Sequence, residues 1–156
     1  MTNTVREQII TGIRQAVGGV AWVGNRVYGV GDSSDVIVDA ATKYDGAVCI
    51  LFADDDDEQD ASDLERFSVE VEVQVIFKRV ADVPPEISAA RLCGDLYGLY
   101  ADKDDDAAGT WGGKAMDTLV KVPVGGVAVL TGDLFVTAHV FTVYYGFERG
   151  AMNVPR

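Results

Sequence analysis

Residues 67–78 read FSVEVEVQVIFK. Phe67, Val69, Val71, Val73, Val75 and Phe77 alternate with Ser68, Glu70, Glu72, Gln74, Ile76 and Lys78. A period of two held over a dozen residues fits an amphipathic strand and no helix, because successive side chains of a strand leave opposite faces. One face of this strand belongs to a core, and the other is polar.

The neighbouring segments fill in the rest of a sheet. Asp45-Gly46 is a turn, and Ala47 to Phe52 is a short apolar strand. Pro84-Pro85 stops the alternation and opens a helix, since the first helical turn has no partner for the N–H that proline lacks. Ile87, Ala89, Leu92, Cys93, Leu96, Leu99 and Tyr100 give that helix its apolar stripe. A second helix is expected at residues 5–17: Thr4 and Glu7 stand at capping-box spacing, Val5, Ile9, Ile10, Ile13, Ala16 and Val17 recur every three or four residues, and Gly18-Gly19 stops the run. Residues 20–46 are rich in glycine, and only a short strand at 26–30 followed by a loop is expected there. Further strands are expected at 115–122 and 134–145, with a hairpin-like Val124-Gly125-Gly126 before the latter. The last strand is apolar on both faces, with Leu134, Val136, Ala138 and Val140 on one and Phe135, Phe141, Val143 and Tyr145 on the other. Such a strand needs cover on both sides. The fold class is therefore α+β: a mixed or antiparallel sheet of about five strands packed by two α-helices. Two helices are scant cover, so a neighbouring subunit is the expected source of the second layer.

The 156 residues are read as one domain, large enough to bury a core without disulfides. Two cysteines are too few for a secreted disulfide framework, no basic segment followed by an apolar one opens the chain, and no apolar run approaches a membrane span. An intracellular protein that does not enter a membrane is expected. The 25 acids outnumber the 13 Lys and Arg, a net charge of −12, and that balance argues against sequence-specific nucleic-acid binding, which takes clustered cations.

Most of the charge lies in two windows. Residues 54–65 carry eight acids, beginning Asp54, Asp55, Asp56, Asp57, Glu58 and Asp60. Residues 102–106 carry four, among them Asp104, Asp105 and Asp106. Repulsion should keep both loops extended and solvated, projecting toward a partner, so replacing Asp54 to Asp57 by Ser should hardly change thermal stability. Asp54, Asp56, Glu58, Asp60, Ser62 and Glu65 also fall at the 1, 3, 5, 7, 9 and 12 positions of an EF-hand. Gln59 stands where that loop needs glycine, and the flanks read as strands, so calcium is not expected. Two glycine patterns resemble phosphate loops. Gly19 and Gly24 are followed by Asn25-Arg26 in place of Lys-Ser/Thr, and Gly29-Val30-Gly31 runs on to Ser34 in place of the third glycine. Both read as turns.

No constellation carries catalytic chemistry. The single histidine, His139, lies mid-strand and reads as a satisfied core or interface residue; nothing marks Cys49 or Cys93 as a thiolate partner for it. One His and two separated Cys cannot make the usual four-ligand zinc site, and no cofactor is expected.

Three stretches carry a family resemblance: TVREQIITGIRQAV at 4–17, AVCILFADDDDEQ followed by FSVEVEVQVIFKRVADVPPEISAARL across 47–92, and LFVTAHVFTVYYGF at 134–147. In their order and polarity they resemble the tail terminator proteins of long-tailed phages, of the lambda minor-tail-protein-U type. The resemblance implies an α/β sandwich that assembles as a homohexameric ring on the head-proximal end of the tail tube. It implies as partners the tail tube protein, the neck or head–tail connector protein and further copies of the chain, with DNA passing through the lumen unread. Glu70, Glu72 and Gln74 are the candidates to line that lumen, and the acidic loops are the candidate contacts. Another head–tail joining protein, a tail tube subunit and, outside virions, an acidic cation-binding module are the alternative readings.

Overall fold

The alternating segment is a strand, and it begins three residues before the pattern does. The computed structural model describes residues 3–57, 64–102, 104–105, 107–148 and 151–155. In chain order the elements are α1 (Val5–Gly18), β1 (Val27–Tyr28), α2 (Ser34–Lys43), β2 (Gly46–Phe52), β3 (Asp56–Asp57), β4 (Leu64–Lys78), α3 (Pro85–Tyr97), β5 (Asp117–Val122), β6 (Ala128–Thr131), β7 (Leu134–Glu148) and β8 (Ala151–Pro155). Three helices and one eight-stranded mixed sheet among the described residues make an α+β fold, as the alternation predicts. Three of the strands, β3, β6 and β8, are short additions to the five expected.

The sheet is built on one pair. β4 and β7 are antiparallel and in register over their full lengths, from Leu64 opposite Glu148 to Lys78 opposite Leu134. The strand order is β1-β2-β4-β7-β5, with β3 also on β4 and with β6 and β8 also on β7. Among the described residues only the β1–β2 pair is parallel.

The first face of this sheet carries the main core. Val5, Ile9, Ile13 and Val17 of α1 and Ala89, Cys93 and Leu96 of α3 lie over Val71, Val73, Val75, Phe141 and Val143, all of them buried. The capping box holds the start of α1: Thr4 Oγ1 accepts from the Glu7 N–H at 3.2 Å, while the Thr4 N–H donates to Glu7 Oε2 at 2.6 Å. The stripe of α3 is turned slightly from the expected one. Ser88 is buried and Ile87 is exposed, because the helix opens at Pro85 with its first turn over the end of the sheet.

The second face gives the main correction. Residues 34–43, expected as loop, form α2, which packs Ala40 and Ala41 against Ala47, Cys49, Ile76 and Leu134. Ser33 caps it by accepting from the Val36 N–H at 3.3 Å, and Asp35 and Lys43 suit the two ends of the helix dipole. The consecutive Val36-Ile37-Val38 hid the helical period. Cover for half of the second face thus comes from within the chain, where a neighbouring subunit was expected. No described helix is long and apolar enough to cross a membrane.

Candidate functional site

The register of the sheet sorts the candidate residues by face. Glu70, Glu72 and Gln74 lie opposite Thr142, Val140 and Ala138, on the same side of the sheet as α2, whose apolar cluster ends at Cys49 and Leu51 beside Gln74 and Glu72. The six residues of these β4–β7 pairs are half-buried. Glu70 pairs with Lys121 of β5, and Gln74 Nε2 donates to Glu72 Oε1 at 3.4 Å. The Lys121 ammonium is held above its ordinary pKa by the hydrogen bond to Glu70, with Asp56 adding a weaker attraction. Asp56, opposite Ser68, therefore extends the row. Three carboxylates, Asp56, Glu70 and Glu72, stand against Lys121 and, further along β4, Arg66 opposite Gly146, and leave this half of the face acidic.

The first acidic loop is less free than its charge suggests. Asp54 and Asp56 are exposed, and Asp56–Asp57 form β3 against Ser68 and Phe67. Asp55 is an anchor: Arg6 Nε donates to its Oδ1 at 3.1 Å, the Tyr145 hydroxyl donates to its Oδ2 at 2.7 Å, and Arg6 Nη2 reaches the Ala53 carbonyl at 3.2 Å. Burial, and then the bond to Asp55, push the Tyr145 phenol well above its ordinary range. The expectation of a wholly solvated loop fails at Asp55, because a carboxylate facing a guanidinium and a buried phenol is worth more bound than hydrated. Glu58 and Asp60 lie outside the described residues, as does the Asp57 side chain.

The second acidic loop folds back on itself. Asp102 Oδ1 accepts from the Asp104 N–H and Asp105 Oδ1 from the Ala107 N–H, each at 2.9 Å. Asp104 and Asp105 are exposed, and Asp106 lies outside the described residues. Trp111 ties the end of the loop to the sheet: its Nε1 donates to Thr118 Oγ1 at 2.8 Å, and that hydroxyl donates to the Gly109 carbonyl at 2.6 Å. Trp111 holds a left-handed φ of 51°, unfavourable for an aromatic residue and sustained here by its burial against Phe141. Asp102, Asp105 and Asp117 line one groove of about 350 Å³. Asp117 stands opposite Tyr144, Tyr144 opposite Ser68, and Ser68 opposite Asp56. The structure thus brings both acidic loops to one end of the sheet.

His139 is fully buried on the other face. Its Nδ1 lies 2.8 Å from the Pro123 carbonyl, which only accepts, so Nδ1 carries the proton and Nε2 accepts from the Tyr100 hydroxyl at 2.6 Å. Burial lowers the His139 pKa and raises that of Tyr100. Both ring nitrogens are occupied, and neither thiol is among their partners. Burial pushes Cys93 up to about 11 and moves Cys49 in the same direction, away from thiolate character. Among the described residues, no group of three or more His, Cys, Asp or Glu is placed to hold a metal ion.

Comparison with protein-family models finds no match, and comparison with curated proteins finds none either.

Sequence reasoning missed Lys121, the tether of the candidate Asp55 to Arg6 and Tyr145, and the Tyr100–His139 pair. Each joins residues far apart in the chain, 39 apart for Tyr100 and His139 and 90 apart for Asp55 and Tyr145. Only the period-two pattern, which puts Glu70, Glu72 and Gln74 on one face, was available beforehand.

Proposed function

We propose that this chain is a structural virion protein of the tail-terminator kind. Six copies close into a ring on the head-proximal end of a phage tail tube, end its polymerisation and form the interface to the neck or connector protein. The protein is assembled in the host cytoplasm and resides in the virion, and it performs no catalysis. The observation that carries this reading is the half of the second sheet face where, among the described residues, Asp56, Glu70, Glu72 and Gln74 border Ala138, Val140 and Thr142 outside the apolar cluster that α2 seals. At physiological ionic strength an exposed charge acts over only about 8 Å. Acids can therefore keep a phosphate backbone off a channel wall only if they stand on that wall, and a sheet face bearing a carboxylate row is such a wall. The acidic end, with Asp54, Asp104 and Asp105 exposed, suits a basic surface on the tube or the neck.

Tube growth tests the reading. Light scattering from polymerising tail tube protein should plateau early when this chain is added, with the plateau set by the time of addition. Growth indistinguishable from that of tube protein alone would rule the proposal out.

A further inference from the structure

A groove of about 320 Å³ lies at one end of the sheet, between the start of α3, the turn that precedes it and Trp22. Trp22, Phe77, Val80, Val83 and Leu92 give it apolar walls. Close approach holds the indole in place. A Cβ on Gly46 would stand 3.0 Å from Trp22 Cε3, and Arg26 ties the two backbones together, donating to the Trp22 carbonyl at 2.7 Å and to the Gly46 carbonyl at 2.9 Å.

The polar groups of these walls are nearly all donors without an acceptor. Ser88 lines the groove and is only 8% exposed, yet among the described residues its hydroxyl has no hydrogen-bond partner. Trp22 Nε1 is buried and equally unpaired. Lys78 and Arg91 line the groove too, and among the described residues neither has a carboxylate within 4.0 Å, in a chain where acids outnumber Lys and Arg by 25 to 13. A buried donor left without an acceptor is unfavourable and asks for an explanation. Among the described residues that line the groove, Asp45 is the only acid; it is exposed, and two cations face one carboxylate.

We infer that this groove binds a small carboxylic acid with an aliphatic or aromatic body. The surplus of one positive charge suits a single carboxylate, which Arg91 and Ser88 can hold by hydrogen bonds, the former charge-assisted. The apolar walls suit the body, and a bare phosphate would leave them unused. The volume is at the small end of the range for ligand pockets. A peptide has no strand edge to join, because the β4 backbone is paired on both sides there, with Gly46 of β2 opposite Phe77 and Leu134 of β7 opposite Lys78. Side chains alone must hold the occupant, and that favours a compact molecule. The inference does not depend on the ring: Trp22, Phe77 and Leu92 belong to the core of the first face, away from the acidic row.

Nuclear magnetic resonance on the full chain tests it. The two tryptophans give two indole N–H signals, and Trp22→Phe assigns them by removing one. Trp111, whose Nε1 donates to Thr118, serves as the internal control. Hydrocinnamate should move the Trp22 signal saturably and leave the Trp111 signal in place. Its neutral amide should bind about tenfold more weakly, and inorganic phosphate should give no saturable shift. Arg91→Gln should weaken hydrocinnamate binding about tenfold and Ser88→Ala about fivefold. Because Arg91 is exposed, its variant should keep the wild-type melting temperature, which separates lost binding from lost folding. A Trp22 signal unmoved by millimolar hydrocinnamate, an amide or a phosphate that binds as well as the acid, or an Arg91→Gln variant that binds like the wild type would each overturn the site. A tripeptide ending in phenylalanine that binds more tightly than hydrocinnamate would overturn the assignment to a small acid.

Discussion

The two faces of the β4–β7 pair are made of the same backbone and end in different states. Beneath α1 and α3, the first face is sealed by Val71, Val73, Val75, Phe141 and Val143. On the second face, α2 seals the end at Ile76 and Leu134, and the remainder is half-buried and acidic. β4 accounts for the difference: from Phe67 onward its apolar positions all fall on the first face except Ile76, which is the one that α2 covers. Stability and the proposed function are thus divided by face, and that division can be attacked from either side.

The largest effect should come from the sealed face. Phe141 is buried with its ring centroid 4.8 Å from that of Tyr100 and 5.7 Å from that of Trp111. Phe141→Ala should cost about 3–5 kcal/mol in urea denaturation, and Ile9→Ala about 2–5 kcal/mol. Its chain neighbour Thr142, on the open face, should lose about 1 kcal/mol or less on mutation to Ala. Equal losses at 141 and 142 would erase the distinction between the faces.

The acidic end gives a contrast of intermediate size. Asp55→Ala removes the acceptor for Arg6 and for the buried Tyr145 hydroxyl, and should cost about 2 kcal/mol by chemical denaturation. Asp54→Ser, one residue away and exposed, should stay within about 0.5 kcal/mol. A silent Asp55 variant would return the whole loop to solvent.

A smaller effect is expected from pH. The folded state lowers the His139 pKa below its unfolded value near 6.5, so it binds the proton less readily than the unfolded chain does. The stabilisation is complete above that value and is lost as pH falls below it. Between pH 7.5 and 5.5 the wild type should lose up to about 1.4 kcal/mol that a His139→Gln variant does not lose. Parallel pH profiles for the two proteins would show that His139 is not held neutral.

How much of this was legible beforehand follows from the range of each signal. The capping box at Thr4 and Glu7, the proline start of α3 and the alternation of β4 are local, and each element formed where its pattern lay. α2 was hidden because a β-branched run after a glycine-rich turn reads as extended, and only its contact with Ile76 and Leu134 makes the helix worthwhile. On the open face, the side shared by Glu70, Glu72 and Gln74 was fixed by period alone. Lys121 and Asp56, which complete that row, arrive from other strands, and nothing in their own neighbourhoods announces them. The acidic loops announced their charge but not the tether at Asp55, since a run of aspartates looks the same whether or not one of them meets an arginine 49 residues away.

The central claim is that the open, acidic face belongs to a ring that ends a tube. Electron microscopy of tail tubes mixed with this protein tests it most directly. The account predicts tubes of fixed length bearing a six-fold density at one end, with the Glu70 and Glu72 face turned toward the lumen. Tubes unchanged in length and bare at both ends, beside a strictly monomeric protein, would contradict it.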